Sequence, residues 1–244
     1  EDRIMAEKKS FASKFIAVPG KKFSLSALDP RDDNAFDDKD KAKEQLLRDA
    51  VAIDGLQDRL FAEGKRALLV VLQGIDCSGK DGTVRAVFNP CGPLGVTVKP
   101  FGVPSEVERA HDYLWRVHKA CPAKGYIGIF NRSHYEDVLV VKVEKLAAAD
   151  AIERRYDEIN AFEKLVANSG TRILKFMLHV SKEEQAVRLQ ERVDDPAKQW
   201  KFKVSDLATR AKWADYMAAY ETAISRCSTE HAPWHIIPAD RNWA

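Results

Sequence analysis

Apolar residues follow two spacings along this chain. Between Lys39 and Gly64, the positions Leu46, Leu47, Ala50, Ile53, Leu56, Leu60 and Phe61 recur at three- and four-residue steps. That spacing predicts an amphipathic helix, with Gly64 as its stop. The next stretch, "ALLVVLQG" at 67–74, is a continuous apolar run that suits a strand buried on both faces of a parallel sheet. Runs at 95–101, 125–130, 171–180 and 235–238 predict four more strands. Helical spacing falls between them at about 105–120, 134–143, 150–168, 181–193 and 204–227. Strands alternating with helices predict an α/β fold, a doubly wound, mainly parallel five-stranded sheet flanked by helices. Residues 1–38 carry an acidic run and little periodicity, and read as an arm against the body. Residues 39–244 read as one continuous domain without repeats.

Composition narrows the function classes. The 244 residues are 45% hydrophobic and 31% charged, with a formal net charge of +2, as expected of an ordinary globular protein. A charge so nearly balanced does not support a nucleic-acid-coating role. No apolar run approaches the ~18 residues of a membrane span. The start, "EDRIMAEKKSFASKF", has no apolar signal core. Cys77, Cys91, Cys121 and Cys227 are scattered without a C-x-x-C pair, so a disulfide framework or zinc site is not expected and a cytoplasmic setting is.

The chemistry begins at "GIDCSGKDG", residues 74–82. It satisfies G-x-x-x-x-G-K, the frame of a phosphate-binding (Walker A) loop, between a predicted strand and a predicted helix. Gly74, Cys77, Ser78, Gly79, Asp81 and Gly82 would supply the backbone cradle, with Lys80 placing a charge among the phosphates. Asp81 stands where the usual loop has a magnesium-binding Ser or Thr. Asp76, inside the loop, would repel phosphates unless a cation lay between them. It is therefore the candidate Mg²⁺ ligand, with Mn²⁺ a possible substitute. Asp81, in the first helical turn, reads better as a cap.

Two further segments belong with the loop. "FNRSHYED", residues 130–137, follows a predicted strand, and ligands of open α/β sheets bind at the carboxyl ends of strands. Arg132 suits a phosphate clamp, and Asn131 and Asp137 are further candidate metal ligands. Ser133 with Glu136 reads as a helix capping box. In 181–213, Arg188 and Arg192 share a helix face at i,i+4. A Pro-containing loop with Lys198, Lys201 and Lys203 follows, a pattern expected of a lid with a positive track for a long anion.

Taken together, "LLVVLQGIDCSGKDG", "HDYLWRVHKACPAKGYIGIFNRSHYEDVL", "DDPAKQWKFKVSDLATRAKWADYMAAYE" and "APWHIIPADRNW" resemble the polyphosphate kinase 2 family, from about Leu28 to Trp243. The resemblance implies a P-loop kinase fold similar to thymidylate kinase, with a helical lid. It also implies reversible, Mg²⁺-dependent transfer of a terminal phosphoryl group between inorganic polyphosphate and nucleotides. Adenine nucleotides are the implied acceptors, with AMP and ADP both used and guanine nucleotides left open. On matched positions, the catalytic set would be Asp76, Lys80, Arg132, Asp137, Arg188 and Arg192, with Asn131 beside the metal. Dimers or tetramers are implied as well. The rival readings are an ATP-dependent nucleoside monophosphate kinase and a non-catalytic nucleotide-binding module.

Overall fold

The computed structural model describes residues 14–32, 38–241 and 243. Residues 1–13 of the predicted arm and residues 33–37 of its acidic run lie outside them. The first long helix, α1 (Lys39–Glu63), starts at Asp38, whose side chain accepts from the Asp40 N–H. It ends at Gly64, which takes the left-handed conformation (φ 61°) that glycine tolerates at a helix end. Its apolar pattern is only partly buried: Ala42, Ala50 and Gln57 face inward, while Leu47, Val51 and Leu56 are exposed.

Five strands follow: β1 (Ala67–Gln73), β2 (Val96–Pro100), β3 (Ile127–Asn131), β4 (Thr171–His179) and β5 (Trp234–Pro238). Every pairing is parallel, in the order β2-β3-β1-β4-β5. β1 lies at the centre, and alternate side chains serve different cores. Leu69 and Val71 join the larger cluster with Phe130, Ile173 and Trp234. Val70 and Leu72 join the second with Ile127, Ile129, Leu60 and Phe88. This two-sided burial is why β1 reads as an unbroken apolar run. The edge strand β2 is mostly exposed.

The helices between the strands are α2 (Lys80–Phe88), α3 (Glu106–Arg109), α4 (Trp115–Ala120), α5 (Val140–Val143), α6 (Ala149–Asn168), α7 (Lys182–Asp194), α8 (Val204–Ala211) and α9 (Trp213–Cys227). Three predicted helices are broken in the structure, the 134–143 pattern dividing into a 3-10 turn, His134–Asp137, and the short helix α5. The 105–120 pattern divides into α3 and α4 around a turn in which the Asp112 carboxylate accepts from the Leu114 N–H. The 204–227 pattern divides at Lys212. Near the start, Ile16 bridges His235 of β5 in antiparallel sense, and Phe15, Ala17 and Leu25 are buried. Residues 15–17 thus line the open edge of β5, and residues 23–25 are fastened to α9 through Ser225 and Glu221.

Candidate active site

The phosphate loop leaves the carboxyl end of β1 and enters α2 at Lys80. Its backbone needs positive φ at Gly74 (152°), Cys77 (66°) and Gly79 (103°). A Cβ at Gly74 would lie 2.9 Å from the Leu178 carbonyl oxygen and 2.5 Å from Ser78 Oγ, so only glycine fits. The Lys80 ammonium is buried and donates to the carbonyls of Gly74 (2.7 Å) and Ile75 (3.1 Å) and to Ser78 Oγ (3.3 Å). Burial is the largest cause of its lowered pKa, from an ordinary 10.5 to about 8, and the nearby Arg132 lowers it further. A phosphate arriving at the loop would reverse that cost by supplying negative charge. The Cys77 thiol is buried, which raises its pKa to about 11, so it is neutral at physiological pH and not a nucleophile.

Beside the loop, Arg132 joins two carboxylates. One Nη donates to Asp76 Oδ1, and the other to Glu136 Oε2 at 2.9 Å. Burial opposes the guanidinium charge, but Glu136 and Asp76 more than offset it and keep Arg132 above its ordinary pKa. Arg132 sits in the left-handed region at φ 61°, where the strand turns sharply into a 3-10 turn, His134–Asp137. That turn corrects the predicted capping box. The Ser133 side chain accepts from the Tyr135 N–H, and Glu136 points to Arg132 instead of back to the helix start. Glu136 is thus a site residue that the sequence pattern disguised as a cap.

The remaining predicted residues divide. Asn131 donates to Asp81 Oδ1 at 2.6 Å, so Asp81 anchors the second motif and makes no cap contact, the N-cap being Gly79. Asp137 faces another cation: its carboxylate lies 3.6 Å from Arg155, and its carbonyl accepts from the same guanidinium at 2.9 Å. Asp76 meets Arg132 and Asp137 meets Arg155, so each of the two carboxylates expected at the metal has a cation of its own. The 3-10 turn carries Glu136 toward the loop and Asp137 toward α6. Among the described residues, no cluster of three or more His, Cys, Asp or Glu side chains could hold a metal by itself. The donor set fits magnesium in a different way. The partly exposed Asp76 carboxylate offers one protein oxygen, and Mg²⁺ commonly takes one or two carboxylates, leaving its other positions to substrate phosphates and water.

Helix α7 is fastened to the loop. Gln185 donates to the Asp76 carbonyl at 3.0 Å, and Arg188 donates to the Cys77 carbonyl at 3.0 Å. Arg188 also reaches Glu184 (2.9 Å) and the Ala239 and Asp240 carbonyls (2.5 and 3.0 Å), so its donors brace the loop against the turn after β5. Arg192 instead pairs with Asp206 of α8 at 3.3 Å and reaches the Lys201 carbonyl at 3.4 Å. Burial raises the Asp206 pKa, and Asp76 contributes in the same direction. Lys201 lies 5.2 Å from the ring of the exposed Trp200. Lys198 pairs with Asp195 at 3.4 Å.

A second cleft, of about 340 Å³, opens beyond the carboxyl ends of β2 and β3. Tyr113, Arg109, Arg116, Arg155, Glu108 and Asp137 are among its lining residues. Arg155 comes from the middle of α6, where no motif marks it.

With this geometry in hand, comparison with known proteins is decisive. A model of the family Polyphosphate kinase 2 (PPK2) matches residues 36–244. The chain belongs to the polyphosphate kinase 2 family. It is 52% identical, over 94% of its length and 86% of the relative's, to an AMP/ADP-polyphosphate phosphotransferase of Meiothermus ruber. It is 39% identical, over 93% of its length and 82% of the relative's, to an ADP-polyphosphate phosphotransferase of Rhodopseudomonas palustris. Among solved structures, the polyphosphate kinase 2 of Arthrobacter aurescens TC1 matches with a TM-score of 0.89 and 44% identity, covering 92% of this chain and 81% of that one.

Proposed function

We propose that this family member moves a terminal phosphoryl group reversibly between inorganic polyphosphate and adenine nucleotides, taking both AMP and ADP. One observation carries this reading: a glycine-pinned phosphate loop that holds the buried Lys80 and whose Asp76 accepts from an Arg132 clamp also bonded to Glu136. The relatives named for AMP and ADP support the choice of acceptor.

Phosphoryl transfer requires alignment and cations on the phosphate oxygens more than covalent help from protein. Loop N–H groups and Lys80 would hold the polyphosphate end. Arg132 would exchange part of its carboxylate pairing for phosphate oxygens. Bound to Asp76, Mg²⁺ would neutralise charge on the bridging oxygens. The cleft with Arg116 and Arg155 would take the acceptor nucleotide, because it flanks the same strand ends. An ionised acceptor phosphate needs no general base. Since α7 is braced against the loop, the closing lid would be the shorter segment 195–211, with Lys201 and Lys203 on the polyphosphate track. The same reading leaves guanine acceptors to the assay below and includes a cytoplasmic setting and a homo-oligomer, dimer or tetramer. The free cysteines and the exposed Leu47, Val51 and Leu56 of α1 support the last two.

The test is an endpoint assay with polyphosphate, Mg²⁺ and AMP, ADP, GMP or GDP supplied separately. ADP formed from AMP, and ATP from ADP, with loss of both on chelation, is the expected result. Turnover with ATP as donor but none with polyphosphate would establish the rival monophosphate kinase.

A further inference from the structure

Behind the Arg132 clamp lies a buried charge that phosphate binding does not use. Lys175, in the middle of β4, is fully buried. Its ammonium donates to Glu163 Oε2 (2.6 Å), the Tyr135 hydroxyl (2.8 Å) and the Cys227 carbonyl (2.6 Å). Three donors meet three acceptors, so the cation is fully satisfied. The Tyr135 hydroxyl in turn donates to Glu163 Oε1 at 2.8 Å, and His134 Nε2 lies 3.1 Å from the same oxygen. Tyr135 stands edge-on to Trp234, with 4.7 Å between ring centroids, and the ammonium lies 5.2 Å from both rings.

A buried ion pair is an expensive way to fill a core, because well-packed apolar groups of equal volume often do as well or better. What this pair holds is the site turn itself. His134 and Tyr135 point into the network, and Arg132 and Glu136, on either side of them, point out to the loop. Ser133 is also buried, accepting from Gln73 Nε2 at 3.1 Å and the Tyr135 N–H at 3.2 Å. Arg132 has a left-handed backbone that a side-chain-bearing residue keeps only where its surroundings over-determine it. We infer that the Lys175–Glu163 pair, with Tyr135 and His134, is a positioning frame that sets the Arg132 and Glu136 side chains at the phosphate loop. Burial raises the Tyr135 pKa well above its ordinary value, so the hydroxyl keeps its proton and the order Lys175 to Tyr135 to Glu163 stays fixed.

The inference rests on the phosphotransfer reading for its kinetic arm only. Tyr135→Phe keeps the ring and removes the hydroxyl. It should lower kcat by roughly ten- to a hundredfold, the cost of a small misplacement. The nucleotide KM should stay within about twofold, because acceptor binding is not what is lost. In an Arg132→Lys background, the same change should cost little further, since both act through one clamp. An unchanged kcat in folded Tyr135→Phe, or an equal loss in both backgrounds, would overturn the inference. The second arm needs no turnover. The Arg132 side-chain nitrogen–proton NMR signal, assigned by its loss in Arg132→Lys, should shift or broaden in Tyr135→Phe while loop signals outside the site stay in place. An unmoved Arg132 signal would also overturn it. Should Tyr135→Phe not fold, His134→Gln takes its place with the same expected outcomes. If the unaltered protein lacks polyphosphate-dependent turnover, the functional reading fails and the NMR arm decides the inference by itself.

Discussion

The Arg132 guanidinium has a carboxylate on either side, Asp76 from the phosphate loop and Glu136 from its own turn. Its charge is thus partly spent before substrate arrives, and so is that of the buried Lys80, held on loop carbonyls. Asp76→Ala and Lys80→Ala should each lower kcat by at least about a hundredfold, as loss of a preorganised charge at a reacting group does. Steady-state assays with polyphosphate check this, and activity surviving both changes would remove the site assignment. Glu136→Gln should leave the fold intact and lower activity, unlike a mere cap change, which would alter stability alone. Lys80 also gives a pH signature. Its folded pKa, about 8, lies below the ordinary 10.5, so between these values the unfolded chain binds more protons. Stability from this residue is therefore lowest below pH 8 and recovers as pH rises toward 10.5, by up to about 3 kcal/mol. Urea unfolding of the wild type against Lys80→Met should show that gain as a difference between the two curves. Inorganic tripolyphosphate should diminish it if phosphate restores the charge.

The elements show where periodicity was a sufficient guide. β1 reads as a strand because both its faces are buried, and α6 reads as a helix because Ile152, Tyr156, Ile159, Phe162 and Val166 keep one face inward. The patterns at 105–120 and 204–227 read as single helices because their apolar spacing continues through breaks set by other forces. One such force is the Asp112 side chain competing for a backbone N–H. The exposure of Leu47 and Leu56 on α1 was hidden for a related reason: spacing defines a helix face but not whether anything packs on it. Gly128 offers a test of packing between elements. A Cβ there would lie 2.9 to 3.1 Å from the Pro122 ring. Gly128→Ala should therefore cost about 1–3 kcal/mol, the usual cost of overpacking, read by denaturant unfolding. Ser181→Ala, which removes the cap on the Glu184 N–H, should cost about 1 kcal/mol.

At the scale of the whole molecule, the segment before α1 is part of the sheet's cover. Ala17 N–H donates to the Trp234 carbonyl at 2.9 Å, and Ile236 N–H to the Phe15 carbonyl at 2.8 Å. Deleting residues 1–28 would uncover the β5 edge and remove the buried Phe15 and Leu25. At about 1.5–3 kcal/mol per buried side chain, the loss should be roughly 3–6 kcal/mol. The thermal midpoint should then fall by on the order of 10 °C, measurable by calorimetry. A deletion variant as stable as the full chain would show that this segment is dispensable.

The sequence by itself determined the strands, their parallel pairing class, the phosphate loop and the family. Those features depend on local periodicity and on residue types at fixed short spacings, which chain order preserves. Only the tertiary structure decided that Glu136 joins Arg132, that Asp137 turns to Arg155, and that Arg188 braces the loop from α7. Arg188 meets the loop across 111 residues, and although Arg132 and Glu136 stand at a visible i,i+4 spacing, only the rotation of the 3-10 turn decides that Glu136 faces the loop and Asp137 faces α6. The buried Lys175–Glu163 pair is the clearest case. In the sequence both are ordinary charged residues, and their burial exists only because β4, α6 and the site turn meet.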